Sequence, residues 1–409
     1  MISAPTTTTI GPARWARENL FSTWYNSMLS LLFGALLGWA ALRGLRLVFV
    51  TARWEIIRVN LTSLLVGLFP RDELWRPWTM LYLVTLATSA LVGSARTVTL
   101  VVDGVPSTPS LAPGQLTRRG WPIALLLAAV VTLRPSPRTI ILIVGLVVTG
   151  FMAWHLGARM PRRWIRWTWL GCAAMLVVAF VTMTGGPIAD GVGWDRWGGL
   201  LLTVFLAIGG IVLCFPFGVL LALGRRSTLP VVRAVCVGFI ELFRGFPLVT
   251  LLFMGAFVIG FLFPQGFSRP SLVTRALIAI VLFESAYVAE IVRGGLQAVG
   301  REQVEAGLAL GLSRLRTIRS IVLPQAFRAV IPALVGQFIA LFKDTSLVAI
   351  VGLSELLRVA QRLTTQGQFL AQGLHAETLV FASFVYWVFA YSMSKESQRL
   401  EQRLGVGQR

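Results

Sequence analysis

The sequence has little charge for its length. Of its 409 residues, 13% are Asp, Glu, Lys or Arg, whereas a soluble domain carries about 25%. Hydrophobic residues make up 56% of the chain, and apolar runs of about 20 residues recur along it, each long enough to cross a bilayer as a helix. Because backbone groups in lipid must be satisfied within the segment, these runs predict helices. The composition therefore predicts an all-α polytopic membrane protein.

Acidic residues, histidine and cysteine are also scarce, which excludes many kinds of catalytic and metal site. There are 17 acidic residues against 37 Lys and Arg, with two His and three Cys. No run fits the phosphate-binding pattern GxxxxGK[ST]; the Gly-Arg-Arg-Ser at 224–227 lacks both its spacing and its lysine. The sequence contains no nucleophile elbow, no HExxH and no metal-ligand spacing of cysteines. We therefore expect no enzyme activity, no metal and no cofactor in this chain.

The net charge of +20 allows two kinds of partner. A basic balance can indicate nucleic acid or a membrane surface. The arginines stand mostly at the ends of apolar runs, where they orient membrane spans and meet anionic lipid. We therefore expect membrane lipid as a partner and no nucleic acid. The first residues are polar, with threonine from Thr6 to Thr9, so we expect no cleavable signal peptide.

Apolar runs in the first half of the chain predict five spans. The two short runs on either side of Arg134–Arg138 (RPSPR) are interpreted as separate spans joined by a proline turn; one long broken element is the alternative. Four arginines between Arg159 and Arg166 form a basic cluster, which indicates the cytoplasmic side. The predicted spans cover about 27–41 (continuing towards Val50), 79–100, 121–133, 139–155 and 167–183.

Residues 43–78 are harder to place. Trp54, Ile57, Leu61 and further leucines recur at helical spacing, which predicts an interfacial helix lying on the bilayer. Six arginines fall in this segment, and they conflict with the positive-inside rule because the order of the spans places the segment outside the cell.

A loop rich in glycine and tryptophan, Gly185–Trp197, divides the chain. It separates an N-terminal part, residues 1–184, from a C-terminal part, residues 185–409, with five further spans. Basic residues follow the first, third and fifth of these spans, and the positive-inside rule makes that shared side cytoplasmic. Counting back gives about ten spans, with both termini in the cytoplasm. The five spans are about 198–223, 232–263, 271–293, 329–352 and 377–396.

The stretch Glu302–Pro324 is polar and basic although apolar runs flank it. Its apolar residues recur at three- and four-residue spacing, which predicts one apolar face on a short helix. Gly311 can end that helix, because glycine adopts the left-handed conformation without a side-chain penalty. Ser313 can cap a second short helix, which we expect to end before Pro324. Two short amphipathic helices between spans would form an exposed docking surface.

Four elements stand at fixed spacing in this stretch: Glu305-Ala306-Gly307, Gly311, Ile321 and Leu323-Pro324. The spacing resembles the EAA loop of ATP-binding-cassette (ABC) importer permeases, whose coupling helices at 302–324 would fit into a groove on the ATPase subunit. Gly307 departs from the alanine usual in that pattern, so the first helix is expected to be weaker.

Gly245 and Pro247 predict a break within the second span of the C-terminal part. Three segments of this part strengthen the resemblance: Glu241–Leu248 (ELFRGFPL), Phe283–Gly295 (FESAYVAEIVRGG) and Lys343–Leu347 (KDTSL). With the loop, they resemble the polar amino-acid permeases among ABC importers, which share a type I, five-helix core. This resemblance covers Trp197 to about Glu401. The run Leu68–Trp78 (LFPRDELWRPW) also resembles the general L-amino-acid branch of that family.

The resemblance implies a permease subunit of an ATP-driven amino-acid importer in the bacterial inner membrane. Cytoplasmic ATPase subunits would bind ATP and Mg, and a periplasmic or extracellular binding protein would deliver the substrate. Five core spans form half a pore, which implies a second permease subunit. The long N-terminal extension favours a related sister chain over an identical one. Polar, basic and broad-specificity substrates all stay open.

Glu284 stands well inside a span, where an ionisable residue costs roughly 2.5–3.5 kcal/mol and by default faces the bundle interior or water. It either binds a substrate ammonium or basic side chain, or is paired with a structural arginine or protonated. Glu290 and Arg293, three residues apart, favour a structural pair or a gate. The other candidates for substrate contact are Tyr287, Arg244, Lys343, Asp344, Thr345 and Ser346, of which Arg244 and Lys343 could instead anchor helix ends.

Three other kinds of protein compete with this interpretation. A secondary transporter would show inverted repeats and midplane charges, and no repeat between the halves is visible. A membrane-bound enzyme would need a catalytic constellation, which the sequence lacks. A structural membrane subunit fits the hydropathy but does not predict the spacing within Glu302–Pro324.

Overall fold

A computed structural model describes residues 11–94, 101–102, 105–106, 113–185, 191–262 and 269–404. Parts of four predictions lie outside these residues: the first ten residues of the N-terminal part, the end of the 79–100 span, the middle of the Gly185–Trp197 loop and the last residue of the 232–263 span. The described chain is almost entirely helical, as predicted. One short antiparallel pair joins β1 (Val101–Val102) to β2 (Val105–Pro106).

The chain divides into two units, residues 1–54 and 55–409. The first contains α1 (Pro12–Asn19), α2 (Trp24–Arg46) and a π-helical turn, Leu47–Thr51. Thr23 caps α2 by accepting a hydrogen bond from the backbone N–H of Asn26. The apolar helix Trp24–Thr51 is long enough to cross a membrane, which confirms the first predicted span and its continuation towards Val50.

The second unit begins with five helices that precede the predicted C-terminal part. They are α3 (Glu55–Val66), α4 (Trp75–Ser94), α5 (Pro113–Leu133), α6 (Pro137–Ala158) and α7 (Ile165–Thr184). Arg134–Ser136 separates α5 from α6, which confirms two elements joined by a proline turn. Tyr82 in α4 donates to the carbonyl of Leu142 in α6 at 2.6 Å. Buried Arg76 donates to the carbonyl of Thr182 in α7 at 3.1 Å.

The prediction of an interfacial helix within residues 43–78 is wrong. Helix α3 carries the predicted apolar stripe, but Ile56, Ile57 and Leu64 are fully buried within the protein. The stripe packs against the later helices α8 (Gly199–Arg225) and α16 (Leu356–Leu363). Periodicity shows that a helix has one apolar face, and it does not show whether lipid or protein covers that face.

The remaining helices form the C-terminal part. They are α8 (Gly199–Arg225), α9 (Pro230–Gly245), α10 (Leu248–Phe253), α11 (Ile259–Leu262), α12 (Leu272–Ala298), α13 (Arg301–Ala309), α14 (Arg314–Thr317), α15 (Leu323–Asp344), α16 (Leu356–Leu363) and α17 (His375–Leu404). The predicted break at Gly245 and Pro247 is confirmed, because α9 and the helical run Leu248–Phe261 meet there at 103°. Helix α12 lies at the centre and packs against α8, α9, α10 and α15.

Close packing of α8 on α12 depends on a small residue. A Cβ atom added to Gly218 would lie 2.6 Å from Cγ1 of Val288. Without a driving force from water, helices in a membrane associate through such close backbone approach. The contact fixes α8 and α12 side by side, and their C-terminal ends lie together because Arg226 donates to the carbonyl of Leu296 at 3.0 Å.

Among the described residues, seven helices are long and apolar enough to cross a membrane, or eight if the bent pair is one span. The predicted count was about ten. Two of the ten predicted spans are not among these eight helices. They correspond to α4, with 20 residues, and to the shorter apolar helix Gly120–Leu133. Every predicted span thus has a helix among the described residues, and seven or eight of these helices are long and apolar enough to cross a membrane. The predicted domain boundary after residue 184 stays a prediction.

Candidate functional site

The loop between α12 and α15 contains two short helices whose ends follow from local sequence. Helix α13 ends at Ala309, and Gly311 takes a positive φ of 78°. The N–H of Leu312 bonds to the carbonyl of Gly307 at 3.1 Å, and the N–H of Gly311 to that of Leu308 at 2.9 Å. This pair of hydrogen bonds is a Schellman motif, so the predicted glycine C-cap is confirmed.

The second short helix, α14, starts where the sequence predicts. Ser313 precedes it and accepts a hydrogen bond from the N–H of Arg316. The expected end before Pro324 is wrong, because helix continues from Arg314 to Ala349. A π-helical turn, Ile318–Val322, leads directly into α15. Pro324 stands in the first turn of α15, directly after this π-helical turn.

The surface formed by α13 and α14 exposes both polar and apolar residues. Glu305 and Ala306 are exposed, as is Pro324 just beyond, and Leu310 and Leu315 are 81% and 76% exposed. We call residues 301–317 the α13–α14 surface. Two strongly exposed leucines in a short polar connection fit a surface that another protein covers.

Gly307 is buried at the contact between the two short helices. A Cβ atom added there would lie 2.7 Å from Cγ2 and 3.1 Å from Oγ1 of Thr317. Thr317 is itself fully buried. The glycine that departs from the family pattern therefore lets α13 approach α14 closely, a role that the sequence did not reveal.

A cluster of five charged side chains joins the ends of α8, α9 and α12. Glu290 in α12 binds Arg225 at 2.7 Å, Arg293 at 2.8 Å and Arg244 at 3.6 Å, and Arg225 also binds Glu241 at 3.2 Å. The predicted pairing of Glu290 with Arg293 is confirmed. We call these five residues the Glu290 cluster.

The Glu290 cluster contains a partner that the sequence did not indicate. Glu241 and Arg244 are three residues apart on α9, yet each binds a residue of another helix. Arg225, which pairs with both glutamates, stands 65 residues before Glu290. The cluster has three positive and two negative groups, so one positive charge is in excess.

Arg244 also contacts one of the predicted substrate residues. Its guanidinium lies 5.6 Å from the centre of the Tyr287 ring, within range of a cation–π contact. The ring of Tyr287 in turn lies 4.8 Å from that of Phe283. Arg244 is the second-last residue of α9, directly before the break in the span. The structure therefore brings two of the predicted substrate residues, Arg244 and Tyr287, together beside that break.

Glu284 lies elsewhere on α12 and is fully buried. Its Oε2 accepts a hydrogen bond from Nε2 of Gln337 in α15 at 2.9 Å. Its Oε1 has no hydrogen-bond partner among the described residues. The structure thus pairs this carboxyl group with an amide, and no local pattern indicates Gln337 because its partner is 53 residues away.

The remaining predicted substrate residues stand at the C-terminal end of α15 and just beyond it. Lys343 is exposed, while Asp344 and Ser346 are half-buried. Thr345 is fully buried and donates to the carbonyl of Phe342 at 2.7 Å.

The ring of Phe342 packs 5.3 Å from that of Tyr386, which places this end of α15 beside a buried glutamate that sequence reasoning missed. Glu355 is fully buried and caps α16. Its two oxygens accept hydrogen bonds from the N–H groups of Leu357 at 2.8 Å and Arg358 at 2.7 Å, and the hydroxyl of Tyr386 donates to it at 2.9 Å.

Relatives of known family match almost the whole chain. The chain is 36% identical over 409 residues to the inner membrane amino-acid ABC transporter permease protein YhdY of Escherichia coli K12, which covers 96% of this chain and 93% of that protein. The chain belongs to the amino-acid ABC importer permeases. The predicted type I permease core, and the function as permease subunit of an ATP-driven amino-acid importer, are thereby confirmed.

Two further comparisons agree with membership of this permease family. The family described as binding-protein-dependent transport system inner membrane component matches residues 214–406. The glutamate/glutamine/aspartate/asparagine transport system permease protein BztC of Rhodobacter capsulatus is 33% identical over 97% of this chain and 94% of its own length. Among solved structures, a crystal structure of an amino acid ABC transporter with histidines is 28% identical and covers 49% of this chain and 90% of its own, with a TM-score of 0.43.

Proposed function

We propose that the α13–α14 surface of this permease docks the cytoplasmic ATPase subunits that power import. Four of the residues assigned to coupling are exposed and would make the contact: Glu305, Ala306 and Gly311 on this surface, and Pro324 at the start of α15. The other two would support it, because buried Gly307 holds α13 close to α14 and half-buried Leu323 begins α15. The observation that carries the proposal is the pair of short, capped helices that expose Glu305 together with Leu310 and Leu315. They follow directly on the C-terminal end of α12, the helix that also carries Glu290, so movement of the docked subunits would reach the Glu290 cluster through one rigid helix.

The proposal assigns the α13–α14 end of the core to the cytoplasm. Arginines concentrate there, after α8 and between α12 and α15, which is the expected charge bias of cytoplasmic connections. Both termini of the chain would then lie in the cytoplasm. ATP and Mg would be bound by the ATPase subunits, because this sequence has no phosphate-binding loop.

The partners on the other side and within the membrane follow from the type of importer. A binding protein would deliver the amino acid from the periplasm or the cell exterior. A second permease subunit would complete the translocation pathway, and we propose a related chain because relatives with the same long N-terminal extension cover almost the whole of this one.

We propose polar amino acids as the substrates, with basic ones included. The name of one relative specifies glutamate, glutamine, aspartate and asparagine, which supports a polar class. Glu284 is a buried carboxyl with one oxygen that no described group satisfies, which supports contact with a cationic substrate group when the pathway opens. The proposed substrate contacts are Glu284, Tyr287, Arg244, Lys343, Asp344, Thr345 and Ser346.

The test is ATPase activity of the purified assembly in nanodiscs, with and without binding protein and with a panel of amino acids. Stimulation by several polar amino acids supports the proposed class, and stimulation by basic amino acids alone would narrow it to those. If no ATPase subunit copurifies with the chain, the docking proposal fails.

A further inference from the structure

We propose that Arg244 exchanges partners during transport, from Glu290 in the empty permease to the carboxylate that every amino-acid substrate carries. Glu290 is then an internal carboxylate that pairs with Arg244 between transport cycles. The inference rests on the proposed function, since it assumes that the amino acid passes through this core.

The first argument comes from the unequal distances around Glu290. Arg225 and Arg293 approach its oxygens at 2.7 and 2.8 Å, within the range of charged hydrogen bonds. Arg244 stands at 3.6 Å, beyond that range. Two arginines therefore hold Glu290 in place, and the third is attracted to it without a close hydrogen bond. Arg244 is the member of the cluster that can leave most easily.

The second argument comes from charge. Glu290 has three guanidinium groups around it and is half-buried, whereas Glu241 is 58% exposed at its side chain. Three arginines against two glutamates leave one positive charge in excess. A substrate carboxylate would neutralise that excess, and arginine suits the task because its planar donors match a carboxylate in two places.

The third argument comes from the backbone beside Arg244. The span breaks at 103° directly after this residue, and irregular backbone at membrane depth is tolerated where it lines a cavity or is covered by protein. A Cβ atom added to Gly245 would have no neighbour within 4 Å, so there is open space next to Arg244. The face of Tyr287 lies 5.6 Å from the guanidinium and keeps it oriented when Glu290 is released. A carboxylate can therefore approach Arg244 at the break.

The experiment measures binding of a ¹⁴C-labelled mixture of the twenty common L-amino acids to the purified permease–ATPase complex in nanodiscs, without binding protein. Competition by unlabelled amino acids is compared with competition by the primary amines that lack the carboxyl group. In the wild type we expect displacement by the amino acids and at least about tenfold weaker displacement by the amines, the factor that one charged hydrogen bond provides.

Three variants separate the proposed role from a structural one. Arg244→Gln should weaken binding at least about tenfold and abolish the preference for amino acids over amines, while Arg244→Lys should retain part of both. Glu290→Gln should strengthen amino-acid binding several-fold, because the internal competitor is gone. If Glu290 had only a structural role, Glu290→Gln would weaken amino-acid binding instead. Two matched controls remove a charge of the same sign at an exposed position: Arg233→Gln, also on α9, for Arg244, and Glu396→Gln for Glu290. Both should bind amino acids as the wild type does.

Amino-acid binding by Arg244→Gln equal to that of the wild type would overturn the proposal, as would weaker binding by Glu290→Gln. A wild-type complex that binds no amino acid on its own would overturn it too. In that case, stimulation of the ATPase by loaded binding protein in the same preparation would show that the proposed importer function still stands.

Discussion

Replacing Glu355 by glutamine should destabilise the core, because the carboxylate satisfies two backbone N–H groups at once. The N–H group of Leu357 donates to Oε2 of Glu355, and the N–H group of Arg358 donates to Oε1. Glutamine has one acceptor oxygen, so one buried N–H would lose its acceptor and face an amide NH₂ group instead. An unsatisfied buried donor costs about 1–3 kcal/mol. The free energy of unfolding should therefore fall by about 1–3 kcal/mol in Glu355→Gln.

Tyr386→Phe removes a single hydrogen bond from the same group and calibrates this magnitude. Its hydroxyl donates to Oε2 of Glu355 at 2.9 Å, and its loss should cost about 0.5–1.5 kcal/mol. Glu396→Gln is the control, because that carboxylate is 62% exposed and pairs only at the surface with Arg399. Exposed ion pairs contribute about 0–1 kcal/mol, so this variant should unfold nearly as the wild type does.

The effect of Glu355 should also depend on pH. It lies between the candidate spans Arg314–Ala349 and His375–Gln402, where burial raises the pKa of its carboxyl and hydrogen bonds from the backbone and Tyr386 offset part of the rise. A raised pKa in the folded state means that folding favours the protonated form. This contribution to stability is fully present below the ordinary value of 4.5 and is lost as the pH rises through the folded-state pKa.

Titration with sodium dodecyl sulfate in mixed micelles, repeated between about pH 4.5 and 8, measures the unfolding free energy and its pH dependence. The difference between wild type and Glu355→Gln should widen as the pH is lowered. A difference that narrows towards acid pH would show that the fold stabilises the anion and would refute the assignment. Equal stability of the two proteins at every pH would refute the capping role itself.

The other predictions concern the sites proposed for coupling and for substrate. Gly307→Ala places a methyl group 2.7 Å from Cγ2 of Thr317. Overpacking should cost about 1–3 kcal/mol and exceed the gain in helix propensity of about 1 kcal/mol, so ATP-driven uptake should fall. Adding Thr317→Ser removes the Cγ2 methyl group and should restore uptake, and no recovery would contradict the contact. Glu284→Gln should change substrate preference or affinity in uptake assays more than it changes assembly with the ATPase, and unchanged uptake of all amino acids would refute this role.

The sequence predicts features that depend on neighbouring residues. Gly311 and Ser313 give the ends of the two short helices because each cap needs one residue type at one place. Gly245 and Pro247 predict the break in the span for the same reason. Pro324 is the exception, because the π-helical turn before it lets the helix continue where a stop was expected.

The features that the sequence does not predict are contacts between distant segments. Arg225 and Glu290 are 65 residues apart, and Gln337 is 53 residues from Glu284. Nothing in the local pattern around Glu290 distinguishes Arg225 from the many other arginines. The apolar stripe of α3 likewise fits lipid and protein equally well, and only the packing of α8 and α16 against it decides between them.

The most direct test of the docking proposal is recovery of the ATPase subunits with the Glu305→Lys permease. Glu305 is exposed on the α13–α14 surface, so reversing its charge should leave folding unchanged and replace an attraction at the interface by a repulsion. We expect normal expression and membrane insertion, recovery of the ATPase lowered about tenfold or more, and loss of transport. Glu396→Lys, also exposed, is the control and should retain both. Full transport and full ATPase recovery in Glu305→Lys would contradict the account.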